Sequence, residues 1–463
     1  MKLSLIGGGG VRSPEFVRGA LAFAADIGLQ ELWLMDIEAN RLKVMVPLCQ
    51  QIVEQANSPF TLHHTTHLEE ALRDADMIVT TIRVGAERGR VLDERIALKH
   101  NVLGQETTGP GGFSMAMRSI PALLDVAEQT ERLAPRAWTF NFTNPAGLVA
   151  QALHDAGFHR IVGICDSANT AQYEIAHWLD VPTDTVKTEV FGLNHLSWTR
   201  SAHIKGKNVL PALLEDDDFV QTTHLRFFGP HLARNMGMFL NEYLYYYYFR
   251  DVAVERIKEE ELTRGEEVEV LNNQLFETLH QSSPGDYLRV YDAYNKRRSA
   301  SYMAYAETDD ALRRERTHPT ETTALLHQTQ DDVGGYAGVA LRTALAISKD
   351  LPLRIGLNVT NEGAIPTMRD DDVVEVTCQV DGNGIKPVNV GQIPEHADLL
   401  MHGVKYYERL AVRAILNRDR EVAVEAMASH PLVGSYALGR ILVNEYLDAH
   451  QQYTGEWPHA TSL

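Results

Sequence analysis

Cysteine is scarce in this chain: Cys49, Cys165 and Cys378 are the only three in 463 residues, an odd number scattered from end to end. That excludes a disulfide framework and fits reduced thiols in a cytoplasmic protein, where one of them is available as a ligand. Long apolar runs are missing as well. Nothing approaches the ~20 residues of a membrane-crossing helix, and Met1–Ile6 runs into glycines with neither the length nor the cleavage site of a secretory leader. Positive charge is in deficit: Lys+Arg 43 against Asp+Glu 62 leaves a net charge of −19. Such a surface repels nucleic acid and anionic membrane, so an anionic ligand has to be drawn by a local group of arginines. There is no internal repeat and no low-complexity tract, so every segment is expected to belong to the folded body.

What is present is an ordinary globular composition, 44% hydrophobic and 23% charged, in a chain long enough for two or three packed domains. Lys2–Ile6 reads as a strand that meets Gly7-Gly8-Gly9-Gly10, and Ser13-Pro14 opens a helix reaching Ile27. Further apolar runs follow at Glu31–Met35, Met77–Thr81, Trp138–Phe140 and Ile161–Ile164, with helical stretches between them. This alternation predicts an α/β fold with an N-terminal parallel, doubly wound Rossmann sheet over residues 1–165. Residues 166–463 are expected to form a second, mixed α/β domain with a helical C-terminus. In it, Glu215–Asp218 reads as a solvated loop and Met236–Glu261 as one long helix, with periodic segments at Met303–Arg316, Ala337–Lys349, Ala397–Asn417 and Ala437–His450.

Gly7 and Gly9 occupy the first two positions of a dinucleotide fingerprint, where a bare backbone lets a pyrophosphate approach a helix N-terminus. The third position holds Arg12 in place of Gly or Ala, so the short motif alone is weak. Asp36, at the end of the second strand, supplies the corroboration: a carboxylate there accepts ribose hydroxyls and repels a 2′-phosphate, favouring NAD over NADP. Gly7, Gly8, Gly9, Val11, Arg12, Asp36 and Arg83 are the expected cofactor-binding residues. Cys165 and His195 both end apolar strands, but two such residues do not specify a metal site, and on their own they read as a buried thiol and a hydrogen-bonded core imidazole. Asp166 reads equally as a helix cap or a proton donor. The aromatic segment Asn241–Phe249 is mostly packing, although one tyrosine serves as a base if a cation or metal lowers its pKa. Arg83, Arg90 and Arg264 are the candidates for holding an anion, with surface ion pairing the default for Arg264.

Four strings then act together: Ile82-Arg83-Val84-Gly85; Val102-Leu103-Gly104-Gln105-Glu106-Thr107-Thr108-Gly109-Pro110-Gly111-Gly112-Phe113; Asn141-Phe142-Thr143-Asn144-Pro145-Ala146-Gly147; and Gly192-Leu193-Asn194-His195. In order and in register, the chain closely resembles the family 4 glycoside hydrolases, the NAD- and metal-dependent group that includes 6-phospho-glucosidases. The resemblance implies a lactate-dehydrogenase-like Rossmann domain, bound NAD, and Mn²⁺ or another divalent metal held by Cys165 and His195. It implies Asp166 as general acid, Tyr243 as base and Glu106 as a carboxylate that raises the tyrosine's basicity. Arg90, Asn144, Asn194 and Arg264 are implied to hold a 6-phosphorylated sugar.

In the mechanism implied, C3 of the sugar is oxidised by NAD⁺, the C2 proton is removed, the aglycone is expelled from C1, water adds and the hydride returns. This differs from the usual pair of carboxylates in glycosidases. Cys165-Asp166-Ser167-Ala168 has the aspartate of the α-type members and the proline of neither type, while the strings around Thr107–Phe113 and Asn194–Ser197 look β-type. A 6-phospho-β-glucosidase acting on a 6-phosphorylated disaccharide or aryl glycoside is expected. The alternatives are a 6-phospho-α-glucosidase, an NAD-dependent hydroxy-acid dehydrogenase and a silent NAD-bound sugar-phosphate sensor. Family resemblance also implies a homodimer or homotetramer.

Overall fold

The computed structural model describes residues 1–306 and 333–458. Its N-terminal part alternates strand and helix as the apolar runs predict, with one further strand at Thr61–Thr65 that no apolar run marks because it is mostly exposed and polar. The strands are β1 (Lys2–Ile6), β2 (Glu31–Met35), β3 (Thr61–Thr65), β4 (Met77–Thr80), β5 (Trp138–Asn141) and β6 (Ile161–Gly163). They pair in parallel in the order β3-β2-β1-β4-β5-β6, the doubly wound order in which the chain reverses direction between β1 and β4. β4 and β6 are buried along their whole length, as befits strands covered by helices on both faces. The carboxyl ends of β1, β4, β5 and β6 therefore open on one crevice, into which Gly7, Ile82, Phe142 and Cys165 emerge.

The C-terminal part returns to this sheet. β7 (Lys187–Leu193), β8 (Leu196–Ile204), β9 (Lys207–Asn208) and β10 (Phe239–Leu240) build a separate four-stranded sheet, but β11 (Leu353–Thr360), β12 (Val373–Asp381) and β13 (Gly384–Pro387) extend the first one antiparallel beyond β6. The boundary expected at residue 165 thus does not separate two sheets, because β11 pairs with β6 through Asn358 and Gly163. Val190 of β7 donates its N–H to Thr377 Oγ1 of β12 at 2.9 Å, joining the small sheet to the large one. Helices Glu395–Asn417, Arg420–Ser429 and Tyr436–Thr454 form the expected helical end, and helix Gly335–Lys349 covers the Ala337–Lys349 segment.

Two expectations fail locally. Met236–Glu261 is not one helix: it is cut into strand β10, a 3₁₀ turn at Glu242–Leu244 and two short helices, Tyr245–Tyr248 and Arg250–Glu259. The Asn241 side chain accepts the N–H of Tyr243 at 3.0 Å, a local turn that competes with helix formation. Within Glu215–Asp218, Asp216 caps a helix over Asp217–Thr222 by accepting the N–H groups of Asp218 and Phe219. Of Met303–Arg316, a 3₁₀ turn over Ala304–Ala306 is seen and residues 307–316 lie outside the described ones. Among the described residues no helix is long and apolar enough to cross a membrane.

One buried polar knot positions the site. Asp93, on helix Ala86–Lys99, accepts from Arg118 Nη2 at 2.7 Å and lies 2.8 Å from His450 Nε2, with all three side chains excluded from solvent. Removing one partner of such a buried ion pair costs about 3–5 kcal/mol. The next residue, Glu94, accepts from Arg90 Nε at 2.7 Å and from the N–H of Gly265 at 2.7 Å, which ties this helix to helix Arg264–Gln281.

Candidate active site

The glycine turn after β1 wraps the end of β2. The N–H groups of Gly7 and Gly8 both donate to Met35 O, and that of Gly9 donates to Asp36 Oδ2 at 3.0 Å while Glu38 N–H donates to Asp36 Oδ1 at 2.9 Å. Asp36 is thereby fixed at the rim of a groove lined by Gly7, Gly10, Val11, Arg12, Asp36, Arg83 and Asn144. Gly8 and Gly9 face inward: a Cβ on Gly9 would stand 2.8 Å from Asp36 Oδ2, so the side chain is excluded by the carboxylate it holds. Asn144, implied to hold the sugar, stands at the end of β5 on this groove.

Farther along the crevice, Cys165 follows β6 and His195 occupies the two-residue turn between β7 and β8. The turn is tight. Gly192 has φ 148° and a Cβ there would meet Leu196 O at 2.3 Å, and His195 itself is in the left-handed region at φ 61°. Holding a non-glycine residue there costs roughly 1–2 kcal/mol, which the β7–β8 pairing on either side supplies. The result places His195 Nε2 3.4 Å from Cys165 Sγ. Burial pushes the His195 imidazole down to about 4, keeping it neutral and able to coordinate. Its Nδ1 is buried with no hydrogen-bond partner. Burial, with the charges of Asp166 and Glu375, pushes the Cys165 thiol well up; a bound cation reverses that preference by favouring thiolate. Among the described residues no third His, Cys, Asp or Glu completes a metal-holding group. A sulfur and an imidazole nitrogen at this separation fit two ligands of a divalent ion whose other positions stay open for oxygen donors.

Asp166 heads the 3₁₀ turn Ser167–Asn169 but makes no side-chain capping bond, and its Oδ1 lies 3.7 Å from Cys165 Sγ. Tyr243 lies flat on the His195 ring, and its Oη accepts from Tyr302 Oη at 2.9 Å. Burial, then Glu242 and Cys165, raise the Tyr243 hydroxyl well above its ordinary pKa. Asn194, next to His195, is committed at both ends of its amide: Gly147 N–H donates to Oδ1 at 3.5 Å, and Nδ2 donates to Glu375 Oε1 at 3.1 Å.

Beside Tyr243 opens a pocket lined by Arg12, Arg90, Glu106, Arg264, Arg298 and Tyr302, among others. Glu106 Oε2 is 2.6 Å from Arg83 Nη1 and 3.2 Å from Arg90 Nη1, and although burial raises a carboxyl, these two guanidinium groups hold it well below its usual range. Arg264 is the first residue of its helix, after the capping box of Thr263 and Glu266, and it pairs with Glu267 at 2.8 Å. Thus the structure brings Cys165, Asp166, His195 and Tyr243 together, with Arg90, Glu106 and Arg264 beside them and the cofactor residues next door. Sequence reasoning missed Arg298, Tyr302, Glu94 and Glu375. Arg298 is part of an Arg297-Arg298 pair in the last turn of a helix, where basic residues ordinarily complement the helix dipole.

Residues 2–181 match the model of family 4 glycosyl hydrolases, and residues 190–433 match the model of that family's C-terminal domain. A probable 6-phospho-beta-glucosidase of Bacillus subtilis is 31% identical over 465 residues, spanning 98% of this chain and 97% of that protein. The 6-phospho-alpha-glucosidase 1 of Lacticaseibacillus paracasei is 29% identical over 98% of this chain and 97% of its own length. Among solved structures, the Thermotoga maritima 6-phospho-beta glucosidase with manganese, NAD⁺ and glucose-6-phosphate superposes with a TM-score of 0.80 at 26% identity, covering 98% of this chain and 99% of that one. The chain belongs to the family 4 glycosyl hydrolases.

Proposed function

We propose that this chain is a 6-phospho-β-glucosidase that cleaves its substrate by oxidation, elimination, water addition and re-reduction, using NAD and a divalent metal, Mn²⁺ in the first instance. The observation that carries the reading is the stacking of Tyr243 on His195, 3.4 Å from Cys165, between a dinucleotide groove and an arginine-lined pocket. When bound, the nicotinamide supplies a reversible hydride acceptor for C3 of the sugar and the cation supplies the charge that makes the C2 proton acidic. Asp36 holds the adenosine ribose, and Gly7 and Gly10 leave room on the groove for the pyrophosphate to approach the N-terminus of helix Ser13–Ile27. Cys165 and His195 hold the cation. Arg90 and Arg264 orient the phosphorylated sugar toward Tyr243, with Asn144 at the edge of the dinucleotide groove and Asn194, its amide already bonded to Gly147 and Glu375, shaping the site from behind His195.

Tyr243 Oη takes the C2 proton, and the hydrogen bond it accepts from Tyr302 stabilises the phenolate form. The glycosidic C1–O bond breaks as C1 and C2 become doubly bonded, and Asp166 delivers a proton to the departing oxygen. Water then adds across that double bond, its oxygen to C1 and a proton to C2. Glu106 holds Arg83 and Arg90 in place, and through them acts on the electrostatics at Tyr243.

The substrate is a 6-phosphorylated disaccharide or aryl β-glucoside. Three buried, unpaired thiols support a cytoplasmic location, and the working unit is a homodimer or homotetramer. Release of glucose 6-phosphate from a 6-phosphorylated aryl β-glucoside, with exchange of the C2 proton into deuterated solvent, tests the reading. Hydrolysis without exchange would end it, and stoichiometric NADH would replace it by a dehydrogenase. Asp166 favours a second reading, the 6-phospho-α-glucosidase; cleavage of the α-anomer in preference to the β would establish that one.

A further inference from the structure

We propose that Glu87 is a second determinant of the preference for NAD, acting by withholding Arg41 from the 2′-phosphate of NADP; the inference rests on the reading above that places the adenosine ribose at Asp36. Arg41 stands in the first turn of helix Ala39–Gln55, which follows β2, and lines the dinucleotide groove together with Asp36, Glu38 and Glu87. The side chains of Arg41 and Asp36 crowd the same glycine. A Cβ on Gly9 would stand 2.9 Å from Arg41 Cβ and 2.8 Å from Asp36 Oδ2. A guanidinium therefore stands beside the ribose carboxylate, where dinucleotide folds that accept NADP use an arginine for the additional phosphate. Left free, Arg41 would work against the selectivity of Asp36.

It is not free. Arg41 Nη2 donates to Glu87 Oε2 at 2.7 Å, and the guanidinium carbon lies 5.3 Å from the centre of the Phe276 ring. Glu87 comes from the first turn of helix Ala86–Lys99, so the ion pair joins the helix after β2 to the helix after β4. Side-chain exposures of 30% for Arg41 and 14% for Glu87 set the pair apart from a solvated surface bridge, which would yield to a competing anion at little cost. The carboxylate is also held from behind. Its Oε1 accepts from Asn272 Nδ2 at 2.7 Å, and the buried Asn272 is fixed in turn by accepting from Tyr294 Oη at 2.6 Å and Arg298 Nη1 at 3.2 Å. Although burial raises a carboxyl, the bonds from Arg41 and Asn272 hold that of Glu87 down to about 2, so it is charged at neutral pH. A 2′-phosphate entering here meets Asp36 and Glu38 as like charges. To recruit Arg41 it would have to leave Glu87 shielded from water without its cation. Selectivity of this kind comes from an unfavourable pairing with the wrong ligand as well as a good one with the right ligand.

The test is calorimetric titration of NAD⁺ and NADP⁺ into the full-length enzyme as wild type, Glu87→Gln, Asp36→Ser and the double variant Glu87→Gln/Arg41→Gln, read as the ratio of the two affinities. Glu87→Gln keeps an oxygen for Asn272 and removes the charge that occupies Arg41. It should shift the ratio toward NADP⁺ by tenfold or more, about 1.4 kcal/mol. Adding Arg41→Gln should cancel that gain, a result that a merely structural role for Glu87 would not produce. Glu87→Ser serves in place of the glutamine variant if the latter does not fold. A wild-type ratio in the Glu87 variant, with Asp36→Ser still moving toward NADP⁺, would overturn the inference and leave the ribose at Asp36. A gain that survives the loss of Arg41 would overturn it too, because removal of a negative charge would then suffice. An Asp36→Ser variant with the wild-type ratio would instead overturn the placement of the ribose on which the inference rests.

Discussion

His195 and Tyr243 lie face to face, their ring centroids 3.6 Å apart and their planes 4° from parallel. The imidazole is fixed by a strained two-residue turn, so the phenol resting on it shares its rigidity, and the proposed base and the proposed metal ligand form one body. Tyr243→Phe keeps the stacked ring and removes only the oxygen. We expect kcat to fall by roughly 10²–10⁴, the range for loss of a positioned acid–base group. Exchange of the substrate's C2 proton should stop, with NAD⁺ affinity unaltered by calorimetry. Retained exchange in this variant would remove Tyr243 from the role of base.

Asp36 makes a second prediction. Both its oxygens are oriented by backbone N–H groups, and burial raises its carboxyl against the pull of those bonds. Asp36→Ser should weaken NAD⁺ by about 1–2 kcal/mol, the scale of one charge-assisted hydrogen bond, and should improve NADP⁺ relative to NAD⁺ by removing the negative charge. Fluorescence titration with both cofactors measures this; an unchanged ratio would place the adenosine ribose elsewhere.

Cation binding should be visible without turnover. A ligand that binds only the folded chain stabilises it by RT ln(1 + [L]/Kd), or about 2.7 kcal/mol at a hundredfold excess over Kd. Mn²⁺ should therefore raise the melting temperature of the wild type, and chelator should reverse the rise. Cys165→Ser and His195→Ala should each abolish most of it. Equal Mn²⁺ shifts in all three proteins would mean the ion binds outside this pair.

Acid should destabilise the fold through its buried histidines. Burial alone pushes His430 from 6.5 down to about 3, and its Nδ1 accepts the N–H of Leu432 at 3.1 Å. The unfolded chain takes up this proton near pH 6.5 and the folded chain only near pH 3. Its contribution is therefore whole above the upper value and is lost as pH falls through the window, at no more than about 1.4 kcal/mol per unit. The urea midpoint should drop between pH 7 and pH 4.5, and His430→Asn, which keeps an acceptor for Leu432, should drop less. Parallel curves for the two proteins would contradict it.

Much of this molecule is legible from its residues. Five of the six parallel strands stand out because burial makes them largely apolar runs, whereas β3, mostly exposed and polar as Thr-Leu-His-His-Thr, is silent; the glycine turn with Asp36 marks the crevice they open on. The strings around Glu106 and His195 are visible because close approach of backbone to backbone tolerates few residue types: a Cβ on Gly111, Gly112 or Gly192 would meet a carbonyl oxygen at 2.3, 2.0 or 2.3 Å. The segment Met236–Glu261 misleads because its run of aromatics has no polar phase to betray a break, while the break itself is made by Asn241 and by pairing of β10 with β8. Arg298 and Tyr302 are silent in sequence for another reason. They come from a helix and turn with no motif, and only tertiary contacts, of Arg298 with Asn272 and Tyr294 and of Tyr302 with Tyr243, bring them to the pocket. The return of β11 to β6 is equally unmarked, since nothing in an edge strand announces which distant neighbour it awaits.

That return has a bearing on how the polypeptide matures. A nascent chain that has emerged only as far as Cys165 carries the whole nucleotide fingerprint, yet β6 is then a naked rim and the helix later laid over Ser13–Ile27 has not been made. Completion waits on about two hundred further residues leaving the ribosome, in keeping with the slowness of distant strand pairing. Excised at that point, the first segment should therefore behave as an aggregation-prone fragment and not as a portable dinucleotide module.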